Sequence, residues 1–466
     1  MLTRKITSQL NDWLSQSDRK SLVVKGARQV GKTFSIERFA RENFESFIYI
    51  NFEETPSLKQ IFDGDLDTTT LIKQISLYVP GATIVECNTL IFLDEIQSCA
   101  EARTALKFMT QDARFDVIAS GSLLGINYGE VSSFPVGYTD QIEMHSLDFE
   151  EFCWAMGVSP DAFNELRGYY DRREPVPDVI HTKMMQLFKE HIVVGGMPAV
   201  VASFAEKSDF GEVLRIQRAI INDYLDDIAK YAKDSEKAKA RACFLSIPRQ
   251  LAKDYKKFQY NIVDKKGSAR KYGGSLMWLL DAGIISFCHN LGRIELPLEG
   301  NANTDAFKVY LNDTGLLVSM LEDGSQADII EGKLGIYKGA IYENIIADIF
   351  TKNNKRLYYF EYRNSLEIDF VIRHLGVATA MEVKSADNKK SKSMRSVMQN
   401  HGATRGIRLT SKNLGSTTFA FDESGGLHVI SESNEYVDKE FAQVNDAYGS
   451  NVRILDSLPL YMAPFI

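Results

Sequence analysis

Short apolar runs recur along the first third of the chain, and segments long enough to form helices separate them. Such runs, bounded by polar or glycine positions, are typical of strands buried on both faces, as in a parallel sheet covered by helices. Their alternation with helix-length segments predicts an α/β fold for this part of the chain. The predicted strands are 22–25, 47–52, 90–93, 116–119 and 141–145.

The pattern becomes mainly helical over 147–205, with a sharp break where Gly-Gly-Met-Pro occupies 195–198. A long amphipathic helix is predicted over 206–235. Two shorter helices and two apolar β segments follow, and this order is typical of a winged-helix module. Its predicted elements are the helices 245–252 and 267–282 and the strands 284–288 and 293–296.

The last part of the chain is predicted to alternate again, in the order helix, three strands, helix, strand. The elements are a helix over 336–353, strands over 357–362, 366–372 and 378–384, a helix over 391–401 and a strand over 405–410. A hairpin is predicted from 419–421 and 427–430, and the apolar end, 455–466, is predicted to pack onto the core. The predicted domains are 1–146, 147–205, 206–330 and 331–466.

Composition is that of a globular protein of about three domains. Apolar residues make up 44% of the 466 residues and charged residues 25%, and the net charge is −8. The five cysteines are scattered singly, which favours a reducing compartment and excludes a disulfide framework. Neither a signal-peptide core nor a membrane-spanning run occurs, so we expect a cytoplasmic protein without a membrane partner.

A phosphate-binding loop follows the first predicted strand and precedes a helix. The pattern is Gly, four residues, then Gly-Lys-Thr. Glycines let the backbone turn tightly, so that its N–H groups and the helix N-terminus converge on a phosphate. Lys32 is expected to reach the β- and γ-phosphates of ATP, and Thr33 to offer its hydroxyl to Mg²⁺. The predicted nucleotide-binding residues are Gly26, Ala27, Arg28, Gln29, Val30, Gly31, Lys32, Thr33 and Asp94.

Two acids end the third predicted strand, at the sheet edge where nucleotides bind. We expect Asp94 to hold Mg²⁺ through water and Glu95 to polarise the water that attacks the γ-phosphate. Ser120 ends the next strand, where a hydroxyl could report whether ATP or ADP is bound. A plain Ser-Gly turn is the alternative for that position.

Several motifs together resemble those of one bacterial and archaeal ATPase family, over most of the chain and in the same order. Its members carry an AAA-superfamily ATPase and a C-terminal restriction-endonuclease-like domain of unknown function. The resemblance implies an ATPase core of the additional-strand type, a helical lid, a sensor at Ser120 or Ser122 and a nucleic-acid-related role. Because Gly137-Tyr138 stands where many members have Gly-Arg, no arginine finger is assigned. The motifs are GARQVGKT, IFLDEIQ, IASGS, LDFEEF at 147–152, VGGMPAVV at 194–201 and FKVYLNDTGLL at 307–317.

A candidate nuclease centre lies in the last domain. Strand alternation puts Glu382 and Lys384 on one face, with Asp369 on the neighbouring strand. Two carboxylates at such positions can hold Mg²⁺. Resemblance to the restriction-endonuclease-like superfamily implies that Asp369 and Glu382 are the metal ligands and that Lys384 orients or deprotonates the nucleophile. It also implies that Glu343 completes the set from the preceding helix.

Positive charge is concentrated in two segments of this acidic chain. Residues 253–271 hold seven basic and two acidic residues, a local charge of +5, and 384–412 hold eight basic residues and one acid, a local charge of +7. Such patches are typical of surfaces that bind the phosphate backbone of DNA or RNA. The alternative for the first segment is a solvated face used for protein contacts.

Three hypotheses follow for function. The first is an ATPase that couples its nucleotide state to nucleic-acid binding and to metal-dependent phosphodiester cleavage. The second is a nucleotide-dependent switch or DNA-binding regulator whose nuclease-like domain is inactive. In that second case the partner is DNA or a protein. The third is a pure remodelling ATPase that works as a homo-oligomeric ring.

Overall fold

The computed structural model describes residues 2–122, 137–231, 234–253, 256–333, 335, 337–363, 365–384, 392–421, 427–433 and 452–466. The chain divides into two compact units, Met1–Leu147 with Asp281–Ile284, and Asp148–Leu280 with Ile285–Ile466. Among the described residues, no helix is long and apolar enough to cross a lipid bilayer.

The first unit contains a five-stranded parallel sheet, which confirms the predicted α/β class. The strands are β1 (Ser21–Gly26), β2 (Ser46–Asn51), β3 (Thr89–Asp94), β4 (Asp116–Ser122) and β5 (Thr139–Glu143). Their order across the sheet is β2-β3-β4-β1-β5, and each neighbouring pair is parallel. Because β4 lies between β1 and β3, the sheet is of the additional-strand type that the resemblance implies.

Helices cover this sheet on both faces because the apolar side chains of each strand alternate between two cores. Ile91 and Leu93 pack into one core, while Leu90 and Phe92 pack into the other. The first core is completed by α3 (Thr68–Tyr78) and α4 (Ala100–Met109), and the second by α1 (Ile6–Leu14) and α2 (Lys32–Asn43). Short 3-10 turns lie at Pro56–Phe62 and Ile96–Ser98.

The second unit begins with the predicted helical segment. Its helices are α5 (Phe149–Ala155), α6 (Pro160–Arg172), α7 (Asp178–Val194) and α8 (Pro198–Lys207). Asp148 and Glu151 form a capping box that starts α5. The break between α7 and α8 needs glycine, because Gly195 has φ 73° and a Cβ there would lie 2.1 Å from Asp313 Oδ1.

The segment predicted as a winged helix differs from the prediction in its second strand. The helices are α9 (Phe210–Tyr231), α10 (Asp234–Leu251), α11 (Tyr260–Val263) and α12 (Ala269–Asp281). The first predicted wing strand is β6 (Ile285–Leu291), but its antiparallel partner is β7 (Ala302–Leu311) and not 293–296. Residues 293–296 lead directly into Pro297, which has no amide hydrogen to donate to a strand partner.

The predicted helix 245–252 is also only the end of a longer helix, since α10 starts at Asp234. Pro248 lies inside this helix. A proline predicts a helix boundary at this position, but the helix continues through it to Leu251.

The C-terminal part follows the predicted order of elements. Helix α15 (Tyr337–Lys352) comes after the short helices α13 (Thr314–Ser319) and α14 (Ser325–Glu331). The elements after it are β8 (Leu357–Tyr362), β9 (Leu366–Ile368), β10 (Phe370–His374), β11 (Val377–Val383), α16 (Lys392–Asn400), β12 (Arg405–Thr410), β13 (Gly415–Phe421), β14 (Leu427–Ser433) and β15 (Val452–Pro459).

Two sheets organise these strands. The four-stranded sheet has the order β7-β6-β8-β9, and the mixed six-stranded sheet has the order β10-β11-β12-β15-β13-β14. The predicted hairpin is confirmed by the antiparallel pair β13 and β14. The C-terminal prediction is confirmed as well, because the 3-10 helix Leu460–Phe465 that follows β15 is largely buried.

One strand of the chain serves both sheets. Its first part, β9, pairs with β8 in the four-stranded sheet, and its second part, β10, pairs with β11 in the six-stranded sheet. Asp369 is the single residue between the two parts. The strand therefore places this predicted metal ligand where the two sheets meet.

Candidate nucleotide site and acidic centre

The predicted phosphate-binding loop lies between β1 and α2, as expected. Gln29 and Gly31 have φ values of 63° and 93°, so the loop turns through left-handed backbone conformations before α2 begins at Lys32. A Cβ at Gly26 would lie 2.2 Å from the carbonyl oxygen of Met144. The sequence thus places glycine where the backbone of β1 meets the segment after β5.

Lys32 is held inside this loop. Its Nζ donates hydrogen bonds to the carbonyl oxygens of Gly26 at 3.1 Å and Ala27 at 2.9 Å, and the residue is 7% exposed. Burial lowers the pKa of the ammonium group, while Glu95 and Asp94 act to raise it. Within the described part of the chain, this ammonium group bonds to backbone carbonyls and forms no ion pair, so it is available to a phosphate group.

Asp94 is buried at the end of β3 and accepts hydrogen bonds from neutral groups on three elements. Thr33 Oγ1 donates to Oδ2 at 2.9 Å, and Tyr49 OH donates to the same oxygen at 3.1 Å. Asn51 Nδ2 lies 3.4 Å from it. On the other side, Ser120 Oγ donates to Oδ1. The hydroxyl of Thr33 and the carboxylate of Asp94 thus lie together, and this oxygen-donor pair fits Mg²⁺.

Glu95 follows Asp94 in a strained backbone conformation. Its φ is 53° and its ψ is 44°, the left-handed region that costs a non-glycine residue roughly 1–3 kcal/mol. Gln97 Nε2 donates a hydrogen bond to the Glu95 carboxylate. The strand end, the strained residue and the Gln97 contact together orient the carboxylate that is predicted to polarise water.

Ser120, the predicted sensor residue, lies at the end of β4 beside Asp94. It is fully buried and its Oγ donates to Asp94 Oδ1, so it orients that carboxylate. Ser122, two residues on, pairs in register with Gly26 at the loop. Arg28 lies within the loop, and its Nη2 is 4.0 Å from Glu53 Oε2.

Tyr49 and Asn51 are site residues that the sequence analysis missed. They lie on β2, whose register sets Asn51 opposite Asp94. The signal for them is alternation, since Tyr49 and Asn51 share one face of the strand next to the acidic one. Alternation alone does not identify these two residues as part of the site. The pairing of β2 with β3, which are far apart along the chain, is also needed to place Asn51 opposite Asp94.

The acidic centre of the second unit contains the predicted strand residues in the expected register. Phe370 pairs with Met381, which sets Asp369 beside Glu382 on the antiparallel neighbour. The backbone N–H of Val383 donates to Asp369 Oδ2 at 2.8 Å. Lys384 Nζ lies 2.6 Å from Glu382 Oε1, so Glu382 on β11 contacts the predicted partner that directly follows this strand.

Glu343 projects from α15 into a set of cationic and hydroxyl groups. The residue is 3% exposed. Lys256 Nζ forms an ion pair with Glu343 Oε1, and Lys308 Nζ lies 3.6 Å from Oε2. Tyr310 OH donates to Oε2 at 3.3 Å. Both carboxylate oxygens are therefore engaged by side chains of this chain.

Lys308 is a central residue of the centre that sequence analysis did not find. Its side chain is fully buried on β7, and its Nζ lies 2.5 Å from Glu367 Oε1. Although burial alone lowers the pKa of this lysine, the neighbouring Glu343, Glu367 and Asp369 raise it above its ordinary value. Lys308 is therefore a permanent positive charge inside the unit.

The pKa of Asp369 is also raised, but for an acid this shift favours the neutral form. Burial and the Glu343 carboxylate raise its pKa to about 7, against the effect of Lys308 and Lys256. Glu382 has Arg408 on the adjacent strand, with Nε 4.0 Å from Oε2.

This arrangement does not fit a metal ion. Within the described ranges, no three His, Cys, Asp or Glu side chains gather closely enough to hold one. Glu343 and Glu382 instead direct their oxygens at lysine and arginine side chains. The acidic centre is thus a network of ion pairs in this conformation, and its ammonium groups stand where the sequence predicts a cation.

Both predicted basic patches are smaller than the sequence suggests. In the first, Lys256 is paired with Glu343, and Lys271 Nζ is paired with Asp264. In the second, Lys384 and Arg408 contact Glu382, and Arg405 Nη1 lies 3.8 Å from Asp456. Asp254 and the stretch 385–391, with Lys389 and Lys390, fall outside the described residues.

Family comparisons match the first unit. Residues 18–153 match the family described as AAA domain. Together with the inserted strand, the phosphate-binding loop and Asp94, this match identifies an AAA-type P-loop ATPase domain. Residues 185–327 and 338–429 match two families described as domains of unknown function, DUF8612 and DUF4143. No protein of curated function matches the sequence.

Three solved structures illustrate the proteins to which the chain is similar. A Walker-type ATPase of Pyrococcus abyssi is 13% identical with a TM-score of 0.42, over 69% of this chain and 96% of its own. The Orc1 protein of Aeropyrum pernix in complex with DNA is 10% identical with a TM-score of 0.31, over 70% and 90%. AMPPCP-bound DnaA of Aquifex aeolicus is 10% identical with a TM-score of 0.28, over 60% and 87%.

Proposed function

We propose that the protein binds and hydrolyses ATP in its first unit and binds nucleic acid through its second unit, with the two activities coupled. The observation that carries the ATPase part is the convergence of Lys32, Thr33, Asp94 and Glu95 at the carboxyl end of the sheet. These residue types serve the separate needs of phosphoryl transfer.

Each side chain has a distinct task at this site. The Lys32 ammonium leaves its two carbonyl partners and neutralises phosphate charge. Thr33 and Asp94 would hold Mg²⁺, which supplies charge neutralisation on the phosphates when it is bound. Tyr49 and Ser120 keep the Asp94 carboxylate in one orientation. Glu95 accepts a hydrogen bond from the attacking water and so increases its nucleophilicity.

Phosphate release from ATP and Mg²⁺ tests this part. Lys32→Ala is expected to lower the rate by a factor on the order of 10²–10³, because it removes a preorganised charge from the transferring phosphate. The matched control is Lys25→Ala, which removes another lysine of the first unit. Lys25 lies on β1, and its Nζ is 3.9 Å from Glu143 Oε2. Equal rates for the wild type and Lys32→Ala would contradict the proposal.

The nucleic-acid part rests on the basic segment around α11 and α12. Five of its basic residues form no ion pair within the described part of the chain, and all are exposed or half-exposed: Lys253, Lys257, Lys265, Lys266 and Arg270. Solvent-facing lysine and arginine side chains on an acidic protein favour contact with a phosphate backbone.

Fluorescence anisotropy with labelled single-stranded and duplex DNA and RNA tests the binding. Lys266→Glu is expected to weaken binding to all sequences alike and to lower the salt dependence by about one unit of slope. Lys73→Glu, an equal charge change at an exposed position of α3, is the control. Coupling predicts that affinity differs between ATP and ADP in the wild type and not in Lys32→Ala. Identical affinities in all nucleotide states would leave two independent activities.

Phosphodiester cleavage is a second candidate, favoured by the register that sets Asp369 beside Glu382 and by the contact of Lys384 with Glu382. The test is incubation of the protein with a panel of DNA and RNA substrates and Mg²⁺ or Mn²⁺, beside Lys384→Ala. Cleavage that Lys384→Ala abolishes supports this candidate. Intact binding without cleavage of any substrate favours a nucleotide-dependent switch.

A further inference from the structure

Arg28 is a charged side chain of the phosphate-binding loop to which the proposed function gives no task. The loop offers its backbone N–H groups to a phosphate, and Lys32 offers an ammonium group. Arg28 occupies the second variable position of the motif, between Gly26 and Gly31. Its guanidinium group is therefore a second positive charge in the loop, four positions before Lys32.

The contacts of Arg28 show towards which part of the first unit its side chain extends. Its Nη2 lies 4.0 Å from Glu53 Oε2. Glu53 follows β2, and its backbone N–H donates to Asn51 Oδ1 at 2.9 Å. Asn51 is the β2 residue that pairs with Asp94 at the carboxyl end of β3. The guanidinium group thus extends from the loop towards the strand ends that carry the acids.

The other carboxylate oxygen of Glu53 links this position to Glu95. Ser98 Oγ donates to Glu53 Oε1 at 3.4 Å, and Ser98 ends the 3-10 turn that directly follows Glu95. The backbone N–H of Ser98 also donates to the Glu95 carbonyl oxygen at 2.9 Å. Arg28 is therefore connected through Glu53 and Ser98 to the residue that polarises water in the proposed function. This is the side of the loop on which the attacking water and the γ-phosphate meet in that function.

The contact between Arg28 and Glu53 is a weak one. Both side chains are 31% exposed, and 4.0 Å between these two atoms is too long for a hydrogen bond. Ion pairs that are this open to solvent contribute little to stability. A phosphate group offers a guanidinium group short, charge-assisted hydrogen bonds to two oxygens at once. Arg28 can therefore exchange Glu53 for a phosphate group.

We propose that Arg28 is a catalytic residue for ATP hydrolysis, an arginine supplied by the phosphate-binding loop itself. Its guanidinium group exchanges Glu53 for the γ-phosphate when ATP binds, and it neutralises the charge that develops during transfer. This inference rests on the proposed ATPase function. It supplies the positive charge for which the sequence assigns no arginine at 137–138.

The step that Arg28 assists is the hydrolysis of ATP to ADP and inorganic phosphate. The water oxygen forms a bond to the γ-phosphorus while the bond from that phosphorus to the β,γ-bridging oxygen breaks. The electron pair of the broken bond stays on ADP. One proton of the water remains on the released phosphate, and the other passes to solvent. Arg28 donates hydrogen bonds to the γ-phosphate oxygens and exchanges no proton.

ATP hydrolysis by the full-length protein with Mg²⁺ tests the inference. Arg28→Ala is expected to lower kcat by a factor on the order of 10², because it removes a charge aimed at the transferring group. The affinity for ADP is expected to stay within about twofold of the wild type, since ADP lacks the γ-phosphate. The matched control is Arg38→Ala, which removes another glutamate-paired arginine of the first unit and should leave kcat unchanged.

Binding of ADP with aluminium fluoride, an analogue of the transferring phosphate, separates a catalytic role from a structural one. The wild type is expected to bind fluorescently labelled ADP at least about tenfold more tightly with aluminium fluoride than without it, and Arg28→Ala is expected to lose this gain. Arg28→Lys keeps the charge without the forked geometry and should recover part of the rate. A loss of ADP affinity in Arg28→Ala as large as its loss of kcat would overturn the inference, because the arginine would then only shape the loop.

Glu53→Gln tests the exchange of partners. Because it removes the carboxylate that competes for the guanidinium group, it is expected to raise the affinity for ATP relative to ADP by about two- to fivefold. A ratio of affinities equal to that of the wild type would overturn the exchange.

An arginine that acts within its own loop predicts that two defective chains do not repair each other. A mixture of Arg28→Ala and Lys32→Ala proteins should hydrolyse ATP no faster than the two proteins do separately, and a recovered rate would overturn the inference. Equal kcat for the wild type and Arg28→Ala would also overturn it and leave the ATPase function standing. Absence of hydrolysis by the wild type would instead overturn the proposed ATPase function itself.

Discussion

The two candidate sites surround their acids with different partners. Asp94 in the first unit accepts hydrogen bonds from neutral groups, and the nearby Lys32 bonds to backbone carbonyls. Glu343 in the second unit is paired with Lys256 and lies beside Lys308. A cation entering the first site replaces neutral donors, whereas a cation entering the second meets positive charge. The first site is ready for its ligands, and the second is closed by its own side chains.

The largest expected contrast lies between the two buried lysines. Lys308→Met leaves one oxygen of the buried Glu343 and the partly exposed Glu367 without their cation, and it is expected to lower the free energy of unfolding by about 3–5 kcal/mol. Lys32→Met removes a charge that is bonded to two backbone carbonyl oxygens, so its expected cost is under about 1 kcal/mol. Urea unfolding of both variants measures the difference. Equal losses in the free energy of unfolding would contradict this contrast and show that the two lysines contribute equally to stability.

The next largest expected effect is a loss of stability at low pH, caused by protonation of His374 in the second unit. Burial, with Arg173, Arg405 and Lys355 nearby, lowers the pKa of His374 to about 4 from 6.5. Between these values the unfolded chain binds a proton that the native protein does not, so stability falls as the pH drops from 6.5 towards 4. The expected loss is about 1–2 kcal/mol after allowance for partial exposure.

His374→Asn should remove that part of the pH dependence. Urea unfolding of the wild type and the variant at pH 4.5 and at pH 7 measures it, and a repeat at pH 8 is the control, since this ring is neutral in both states there. A difference between wild type and variant that does not change with pH would show that the cationic surroundings do not control this ring.

The smallest expected effect concerns one neutral donor at Asp94. Tyr49→Phe removes a single hydrogen bond to a carboxylate that keeps its other donors, so kcat/KM for ATP is expected to fall by about two- to tenfold. Tyr78→Phe, at an exposed position, is the control. A loss as large as that of Lys32→Ala would show that Tyr49 takes part in the chemistry and not only in the orientation of Asp94.

Local patterns predicted most of the elements in both units. The strands at 22–25 and 90–93 were found because fully buried strands are continuous apolar runs, and β1 and β3 contain them. Asp94 and Glu95, the acids that follow the strand at 90–93, were predicted from the same pattern. The Asp369 and Glu382 pair was also predicted, because alternation along two neighbouring strands fixes which residues are adjacent.

Long-range pairing explains what the sequence did not show. A lysine in the run FKVYL suggests a solvent-facing side chain, yet Lys308 is buried because β7 lies in a sheet covered by α15. Lys256 was assigned to an exposed basic patch for the same reason, since Glu343 lies 87 positions away along the chain. The second wing strand was misplaced because the antiparallel partner of β6 is β7, which begins only at Ala302, beyond Pro297.

The strand that contains Asp369 makes the acidic centre sensitive to mechanical deformation. It passes from the four-stranded to the six-stranded sheet at that residue, with β8 as its partner before it and β11 after it. Lys308 and Glu367 belong to one sheet, and Glu382 belongs to the other. Any rotation of one sheet against the other changes the separation of these carboxylates first. The distances among Glu367, Asp369 and Glu382 therefore depend on the angle between the two sheets.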